Sequence, residues 1–450
     1  MTIATPTPAP ELIEKYGLSG PRYTSYPSAL HFSENFSDES FLQDLANEQS
    51  NIAVYIHLPF CKSMCWFCGC TKIITRNQTK ADRYLDYLAK EMQMWLPHLQ
   101  NKKVAYVHLG GGTPNFLTVE QIDRLNALIN CYLPLVNEVE VSVELSPDTL
   151  QEEQVKAFGR MGAKRASIGV QDTNAEVQVA INRLQPQSQN VAAMNWLRNS
   201  GFSSINVDLI YGLPHQTDSS FEITLEQVLQ LDPDRIALFN YAHVPWFKPT
   251  QKVFASDVFP SSMMKLRIFQ ASCARLQSAG YIYIGLDHFA KRDDKLAKAW
   301  QLGTIKRDFQ GYSVNPASIT LGMGMSSVSQ SRHTYRQNHK ELKAYIAAID
   351  AQQLPVAAGI VLSKDDQKRR QVINQVMCQM SVDFDQLGID AGHYFANEKD
   401  GVKGLIEDGI VVPFGNGFKV TALGRLFLRN VAMQFDAYRQ QQVDRCSATL

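Results

Sequence analysis

Short apolar runs alternate with amphipathic segments through the first half of the chain, and this alternation limits the fold more than any other feature. The six apolar runs cover residues 52–58, 103–109, 139–145, 165–170, 204–210 and 235–240. The segments with apolar residues at three- and four-residue spacing are 81–96, 119–133, 188–200 and 219–231. Near-continuous apolar runs indicate strands covered on both faces, and intervening helices indicate a parallel sheet. A flat doubly wound sheet and a barrel both fit this pattern.

Polar or glycine-rich residues at the C-terminal end of each predicted strand favour the barrel. They are a cysteine loop after the first strand, GGGTP at 110–114, Glu144, Gln171 with Asp172, Asp208, and residues 240–243. In barrels of parallel strands the active site is built from several strand ends at one rim. The sequence therefore predicts an α/β protein with a partial (β/α)6 TIM-type barrel.

Three domains are predicted along the chain. Residues 1–48 form an N-terminal arm whose aromatic residues are expected to pack on the main body. Residues 49–364 form the barrel with a C-terminal extension, in which LGMGMSSVS at 321–329 is interpreted as a turn. Residues 365–450 form a mostly helical, winged-helix-like domain, because helical segments are followed by a predicted hairpin, VVPFGNGFKVT.

The charge balance excludes several classes of partner. Lys plus Arg and Asp plus Glu both total 44, so no bulk positive field exists to hold a nucleic acid or an anionic membrane. No apolar run approaches the ~18 residues of a membrane span. The N-terminus has neither the basic nor the apolar region of a secretion signal. We expect a monomeric, cytoplasmic protein.

Four of the eight cysteines, Cys61, Cys65, Cys68 and Cys70, fall within ten residues. A tight cysteine cluster in a large chain of this kind indicates metal binding rather than disulfides. Three thiolates at this spacing suit a [4Fe–4S] cluster with one iron left open. The alternative is a zinc site with Cys70 as the fourth ligand, although the single residue between Cys68 and Cys70 makes them awkward partners.

The spacing of Cys61, Cys65 and Cys68, with Phe67 before the last, resembles the signature of the radical S-adenosylmethionine (SAM) superfamily. Over essentially the whole chain, the sequence resembles oxygen-independent coproporphyrinogen III oxidases. The segments that carry this resemblance are RYTSYPSA (22–29), YIHLPFCKSMCWFCGC (55–70), HLGGGTPNFL (108–117), GVQDTN (169–174), VDLIYGLPHQT (207–217), FNYAHVP (239–245), GLDHFA (285–290), FQGY (309–312) and LGMG (321–324).

The resemblance implies a radical SAM oxidoreductase, a coproporphyrinogen dehydrogenase of haem (porphyrin) biosynthesis, with a barrel of the radical SAM kind. Two propionates of coproporphyrinogen III would become the vinyl groups of protoporphyrinogen IX after a 5′-deoxyadenosyl radical removes a hydrogen atom from each β-carbon. The alternative is a related haem-binding chaperone or haem-modifying enzyme. Cys70 and the RYTSYP arm favour the oxidase, because the chaperones generally lack the fourth cysteine.

The resemblance also implies the site residues. A [4Fe–4S] cluster would be held by Cys61, Cys65 and Cys68, and the catalytic residues would be Tyr55 and Cys70. One SAM molecule would contact Tyr55, Gly111, Glu144 and Val328. A second SAM molecule would contact Phe67, Gly112, Thr113, Gln171, Arg183, Asp208 and Ala242. Without the resemblance, the simpler interpretations are a tight turn for the glycines, a solvated rim charge for Glu144, barrel core for Tyr55, a surface ion pair for Arg183 and a small buried residue for Cys70.

The substrate and the source of electrons set the remaining expectations. Arg22, Lys62 and Lys72 are candidates for binding the propionates. A cluster that needs low-potential electrons indicates a flavodoxin or a ferredoxin as donor. The histidines of the matching segments, His57, His108, His243 and His288, are interpreted as hydrogen-bonded structural residues with no metal role.

Overall fold

The computed structural model describes residues 6–439 and 446–447. Residues 1–5 of the predicted arm, and residues 440–445 and 448–450 of the predicted C-terminal domain, lie outside the described residues. The strands are β1 Ile52–Leu58, β2 Phe60–Cys61, β3 Ile73–Ile74, β4 Val104–Gly111, β5 Leu135–Leu145, β6 Ala163–Gln171, β7 Ser204–Tyr211, β8 Arg235–Asn240, β9 Tyr281–Gly285, β10 His288–Lys291, β11 Lys306–Asp308, β12 Gly311–Ser313, β13 Thr320–Met323, β14 Val328–Gln330, β15 Thr334–Asn338, β16 Val356–Val361, β17 Ser381–Asp383, β18 Val411–Pro413 and β19 Gly417–Val420. The helices are α1 Pro10–Tyr16, α2 Glu39–Asn47, α3 Thr79–Leu99, α4 Val119–Tyr132, α5 Glu152–Arg160, α6 Ala175–Ala180, α7 Gln187–Asn199, α8 Asp218–Gln230, α9 Ser262–Ser278, α10 Lys295–Gln301, α11 Leu342–Asp350, α12 Lys364–Gln379, α13 Ala391–Tyr394, α14 Lys399–Glu407 and α15 Leu428–Met433.

The chain divides into two compact units, each assembled from separate segments. The cysteine-loop unit comprises residues 31–208 and 315–362. The arm unit comprises residues 1–30, 209–314 and 363–450. The units are defined by packing and not by order along the chain. Only the boundary at residue 363 lies close to a predicted domain boundary, the one at residue 365. The three domains inferred from the sequence stay a prediction.

Parallel strands form the centre of the sheet in the cysteine-loop unit. Neighbouring strands follow the order β16-β15-β14-β13-β1-β4-β5-β6. β1 pairs in parallel with β13 and β4, and the parallel pairing continues through β5 to β6. The interpretation of 321–329 as a turn is wrong, since this segment contributes to β13 and β14. Gly322 makes this possible, because a Cβ there would lie 2.7 Å from the carbonyl oxygen of Val328.

The two faces of these strands are not equally buried. On β6, Ala166, Ile168 and Val170 are buried, whereas the alternate residues Ser167 and Gly169 are partly exposed. Side chains alternate between the faces of a strand, so one face packs against protein and the other borders open space. The expectation that the strands are covered on both faces is therefore wrong for β6, and β5 shows the same alternation.

The predicted helices are present and begin at identifiable caps. For example, α4 starts after Thr118, whose side-chain oxygen accepts a hydrogen bond from the backbone N–H of Gln121. The side chain of Gln121 accepts one from the backbone N–H of Thr118 in return, completing a capping box. On α3, Leu85, Leu88 and Trp95 are fully buried, as the three- and four-residue spacing predicts.

The arm unit is built around a core to which the beginning and the end of the chain both contribute. Tyr16 and Tyr23 belong to the same buried cluster as Val372, Val376 and other residues of the last quarter of the chain. The sheet β17-β19-β18 contains the predicted hairpin, in which β18 pairs with β19. In the same unit, β10 lies antiparallel between β8 and β9.

Candidate active site

The two short parallel strands β2 and β3 flank the cysteine loop. β2 pairs with β3, which sets Cys61 beside Ile74, and the backbone N–H of Thr75 donates to the carbonyl of Cys61 at 3.0 Å. Inside the loop, the N–H of Cys68 donates to the carbonyl of Cys65 at 3.2 Å. The cysteines therefore lie in a loop whose two ends are held together by backbone hydrogen bonds.

The cysteine loop lines a cavity of about 180 Å³ in the cysteine-loop unit. Twelve of the residues that the resemblance implied for the site line this cavity, namely Cys61, Cys65, Phe67, Cys68, Cys70, Gly111, Gly112, Thr113, Glu144, Gln171, Arg183 and Asp208. Lys62 and Lys72, two candidates for substrate carboxylates, line it as well. Residues distant in the sequence thus meet at one place, as the strand-end argument predicts.

Three of the residues that the resemblance implied for the site, Tyr55, Val328 and Ala242, do not line this cavity. Tyr55, on β1, stacks its ring on that of His108 with a centroid distance of 5.8 Å, and Val328 begins β14. Neither is among the described residues that line the cavity. Ala242 belongs to the arm unit, where its carbonyl accepts a hydrogen bond from Gln251. The cofactor contacts of these three residues stay predictions.

Close packing requires glycine at two positions of the loop that follows β4. Gly111 has a φ of +114°, and a Cβ at this position would lie 2.5 Å from the ring of His57. A Cβ at Gly112 would lie 2.6 Å from the carbonyl carbon of Pro59. The interpretation as a tight turn alone is therefore incomplete, because the backbone of this loop must also approach the residues around the cysteine loop.

Glu144 is held by hydrogen bonds at the end of β5. Its Oε2 accepts from the backbone N–H of Gly111 at 3.1 Å, and its Oε1 lies 3.2 Å from Nε2 of His108. Burial by itself raises the pKa of Glu144, but the bonds from His108 and Gly111 outweigh burial and lower the pKa. The side chain is 43% exposed, so this ionised carboxylate keeps room to accept hydrogen bonds from a ligand.

Tyr55 and His57 are neutral neighbours on β1. The Tyr55 hydroxyl lies 3.0 Å from Nδ1 of His57, and Nε2 of His57 lies 3.0 Å from the carbonyl oxygen of Thr71. Burial raises the pKa of Tyr55 and lowers the pKa of His57. His57 is thus a hydrogen-bonded structural residue, as predicted, and it connects β1 to the end of the cysteine loop.

Arg183 ties the cysteine loop to two strand ends. Its guanidinium donates to the carbonyl of Gly169 and the hydroxyl of Ser146, both at 2.7 Å, and lies 3.7 Å from the sulfur of Cys65. Beside it, the Asn182 side chain donates to the carbonyl of Met64 at 2.7 Å. The interpretation of Arg183 as a surface ion pair is therefore wrong, because the side chain turns into the cavity.

The thiols around the cavity have unequal acidities. Burial raises the pKa of Cys61 to about 11 and also raises that of Cys65. The hydrogen bond between Cys68 and Cys70 lowers the pKa of Cys68 to about 5 and raises that of Cys70. Cys70 is exposed, so its interpretation as a small buried residue is wrong.

The arrangement fits an iron–sulfur cluster. Cys61, Cys65 and Cys68 are partly exposed on one cavity, and bound metal ions deprotonate coordinating thiols whatever their pKa without metal. In the part of the chain that the structure describes, no group of three or more His, Cys, Asp or Glu side chains is placed to hold a single metal ion.

Two of the serines that line the cavity, Ser146 and Ser167, lie on or next to strands and were not predicted from the sequence. Ser146 directly follows β5, two residues after the predicted Glu144. Ser167 precedes Gly169 by two residues on β6 and therefore lies on the same face. Its hydroxyl donates to Asp208 at 2.9 Å and so orients that carboxylate. The alternation along β6 was the signal that could have revealed it.

Comparisons with known proteins agree with this site. The family model of the radical SAM superfamily matches residues 55–228. The chain is 42% identical over 456 residues to the oxygen-independent coproporphyrinogen III oxidase of Synechocystis, covering 98% of both chains. It is 43% identical over 436 residues to that of Escherichia coli, covering 96% of this chain and 95% of the relative. The solved structure of coproporphyrinogen III oxidase (HemN) from Escherichia coli, a radical SAM enzyme, matches with a TM-score of 0.91 at 41% identity, covering 96% of this chain and all of that one.

The chain belongs to the oxygen-independent coproporphyrinogen III oxidase family. As a member of this family it is a radical SAM enzyme, and its cofactors are a [4Fe–4S] cluster and SAM. The predicted α/β fold of the radical SAM kind is confirmed. The zinc interpretation of the cysteine loop is wrong. Among the described residues of this family member, no helix is both long enough and apolar enough to cross a bilayer.

Proposed function

We propose that the chain converts coproporphyrinogen III to protoporphyrinogen IX without molecular oxygen, as a step of haem biosynthesis. The observation that carries this proposal is the full-length similarity, at 42–43% identity, to relatives that bear the corresponding name. The position of Cys70, an exposed residue that lines the same cavity as the other three cysteines, supports the oxidase over a haem-binding chaperone or a haem-modifying enzyme.

Different residues of the cysteine-loop unit would hold the cluster and the first SAM molecule. Cys61, Cys65 and Cys68 would hold the cluster, which together with SAM supplies a 5′-deoxyadenosyl radical able to abstract hydrogen. Glu144 would accept hydrogen bonds from the ribose of the first SAM molecule, beside the exposed backbone of Gly111. Tyr55 and Val328 complete the set proposed for this molecule.

A second SAM molecule is part of the proposal. Its proposed contacts are Phe67, Gly112, Thr113, Gln171, Arg183, Asp208 and Ala242. Arg183 supports this assignment best, since a guanidinium on a cavity wall is suited to a carboxylate. Asp208, oriented by Ser167, offers an acceptor to hydroxyl or amino groups of the ligand.

Each half of the reaction is an oxidation of one propionate. The β-carbon gives up one hydrogen atom, the bond to the carboxylate then breaks, carbon dioxide leaves, and one electron passes to an acceptor while the vinyl group forms. We propose Lys62 and Lys72 as cations for substrate carboxylates and Cys70 as a residue that acts on the substrate side. A flavodoxin or ferredoxin would supply the electrons, to a monomeric enzyme in the cytoplasm.

The test is turnover under strictly anaerobic conditions. Reconstituted protein is incubated with coproporphyrinogen III, SAM and a chemical reductant, and protoporphyrinogen IX and carbon dioxide are quantified. Two molecules of carbon dioxide for each protoporphyrinogen are expected. Tight binding of haem without any turnover of coproporphyrinogen III would contradict the proposal and favour the chaperone.

A further inference from the structure

The arm unit contains a second cavity, here called the arginine pocket, whose lining carries more positive than negative charge. Its volume is about 50 Å³. The charged residues that line it are Arg22, Lys265, Arg425, Arg429 and Asp287. Four cations therefore face one carboxylate, although the chain as a whole has no net charge.

Two of the arginines are tied down by their surroundings. Arg429 donates to the carbonyl of Pro21 at 2.9 Å and also to the carbonyl of Gly20. Arg22 lies 3.7 Å from Asp287. Burial, together with the neighbouring charge of Arg22, lowers the pKa of Arg429 to about 10, as expected where cations crowd a site with few counter-charges.

Arg425 carries an unsatisfied donor, and Lys265 is a further cation of the lining. Nη1 of Arg425 is buried and has no hydrogen-bond partner among the residues that the structure describes, while its guanidinium lies 5.3 Å from the ring centroid of Tyr283. Burial lowers the pKa of both Arg425 and Lys265. A buried donor without a partner is costly, and a carboxylate is the acceptor that matches a guanidinium best.

The remainder of the lining decides which kind of anion fits. Leu238, Leu266, Phe269 and other apolar side chains form much of the wall. An inorganic anion would leave this wall without a partner, whereas a short aliphatic carboxylate covers it with methylene groups. The small volume limits the occupant to a few atoms, which describes the end of a propionate side chain.

We propose that the arginine pocket binds one propionate of coproporphyrinogen III, with Arg425 and Lys265 meeting the carboxylate and the apolar wall packing on the methylenes. The inference rests on the proposed function and names how the substrate is held. Coproporphyrinogen III carries four propionates and only two react, so a pocket that accepts one of them distinguishes among the four. Arg425 and Lys265 act here as specificity-determining residues.

The experiment measures substrate binding separately from chemistry. Reconstituted holoenzyme with SAM but without reductant is titrated anaerobically with coproporphyrinogen III, for the wild type, Arg425→Gln and Lys265→Gln. Loss of one charge-assisted hydrogen bond should weaken binding about 10- to 100-fold, and Arg425→Lys should recover part of this loss. With reductant, KM should rise more than kcat falls. Arg275→Gln, on the same helix as Lys265 but in an exposed pair with Glu226, is the matched control and should bind within about twofold of wild type.

Every other outcome counts either against the pocket assignment or against the proposed function. Unchanged Kd and KM in both Arg425→Gln and Lys265→Gln, with a wild type that forms protoporphyrinogen, overturns the pocket assignment and leaves the proposed function intact. A wild type that forms no product counts against the proposed function instead. Propionate or phosphate that binds through Arg425 without displacing coproporphyrinogen III would assign the pocket to a small free anion and overturn the inference. Thermal melting establishes whether each variant is folded. If Arg425→Gln does not fold, Lys265→Gln provides the test.

Discussion

Gly111 lies directly against the imidazole of His57, so that a Cβ at position 111 would sit 2.5 Å from both Nδ1 and Cε1 of the ring. His57 in turn meets the carbonyl of Thr71 at the end of the cysteine loop. The loop after β4 and the loop after β1 are therefore packed together through one histidine. A substitution at either residue should therefore disturb the packing of the other.

Replacement of Gly111 by alanine tests this packing. The φ of +114° disfavours any side chain and the added methyl group meets His57, so Gly111→Ala should lower the free energy of unfolding by about 1–3 kcal/mol. Urea unfolding followed by circular dichroism measures the change. Gly404→Ala is the matched control, since a Cβ there meets nothing within 4 Å and alanine favours a helix. Equal stability of Gly111→Ala and wild type would show that the ring can move aside.

Arg183→Gln should weaken the site without unfolding the protein. The substitution removes the guanidinium that contacts Cys65, Ser146 and Gly169, although the carbonyl of Gly169 keeps a bond from Gln185. We expect lower iron incorporation and about tenfold weaker SAM binding. Iron and sulfide analysis and equilibrium dialysis with SAM measure both effects. Arg160→Gln, which breaks an exposed pair with Asp123, is the control; a shared phenotype would refute a specific role for Arg183.

The cysteines should fall into separate functional classes. Cys65→Ser should abolish reductive cleavage of SAM, because a cluster ligand is lost. Cys70→Ser should still cleave SAM but form no protoporphyrinogen. Chromatography of 5′-deoxyadenosine and of porphyrin products separates the two phenotypes, and Cys131→Ser, which changes an exposed cysteine on α4, should match wild type. Full turnover by Cys70→Ser would remove the special role of this residue.

Stability should fall in mildly acidic solution because of His57. Burial lowers its pKa below the ordinary value of 6.5, so the unfolded chain binds a proton first as the pH decreases. The contribution of His57 is therefore fully present above pH 6.5 and is lost as the pH falls from there toward the folded-state pKa, at up to about 1.4 kcal/mol per pH unit. Urea midpoints of the cluster-free protein between pH 5 and 7.5 should vary less in His57→Gln. His393→Gln, at an exposed position, should follow wild type, and a parallel pH dependence of His57→Gln and wild type would contradict the assignment.

Local patterns predicted the fold well where a strand or helix was long and regular. The six strands and their helices follow from side-chain spacing. β13 could not be predicted in this way, because Thr320–Met323 is short and contains Gly322. Its place beside β1 depends on pairing between distant parts of the chain. The contact of Tyr23 with Asp436, whose carboxylate accepts a hydrogen bond from the Tyr23 hydroxyl at 3.0 Å, likewise depends on tertiary packing.

The site was predicted in two different ways. The metal-binding character of the cysteine loop follows from thiol chemistry and spacing, whereas Arg183 was named only through resemblance to a family. Nothing in the local sequence indicates that its guanidinium reaches Cys65, because this depends on how the chain turns after α6. Ser167 could have been found from the alternation of its strand, since Ser167, Gly169 and Gln171 share a face.

The short ladder between β2 and β3 bears on how such an enzyme survives exposure to air. Because the backbone already joins the two ends of the cysteine loop, the entropy of closing that loop is lost during folding and not during metal uptake. Loss of the cluster to oxygen should therefore leave the two ends of the cysteine loop paired. Rebuilding the cluster would then call for iron, sulfide and reduced thiols, without renewed folding of the ends of the loop.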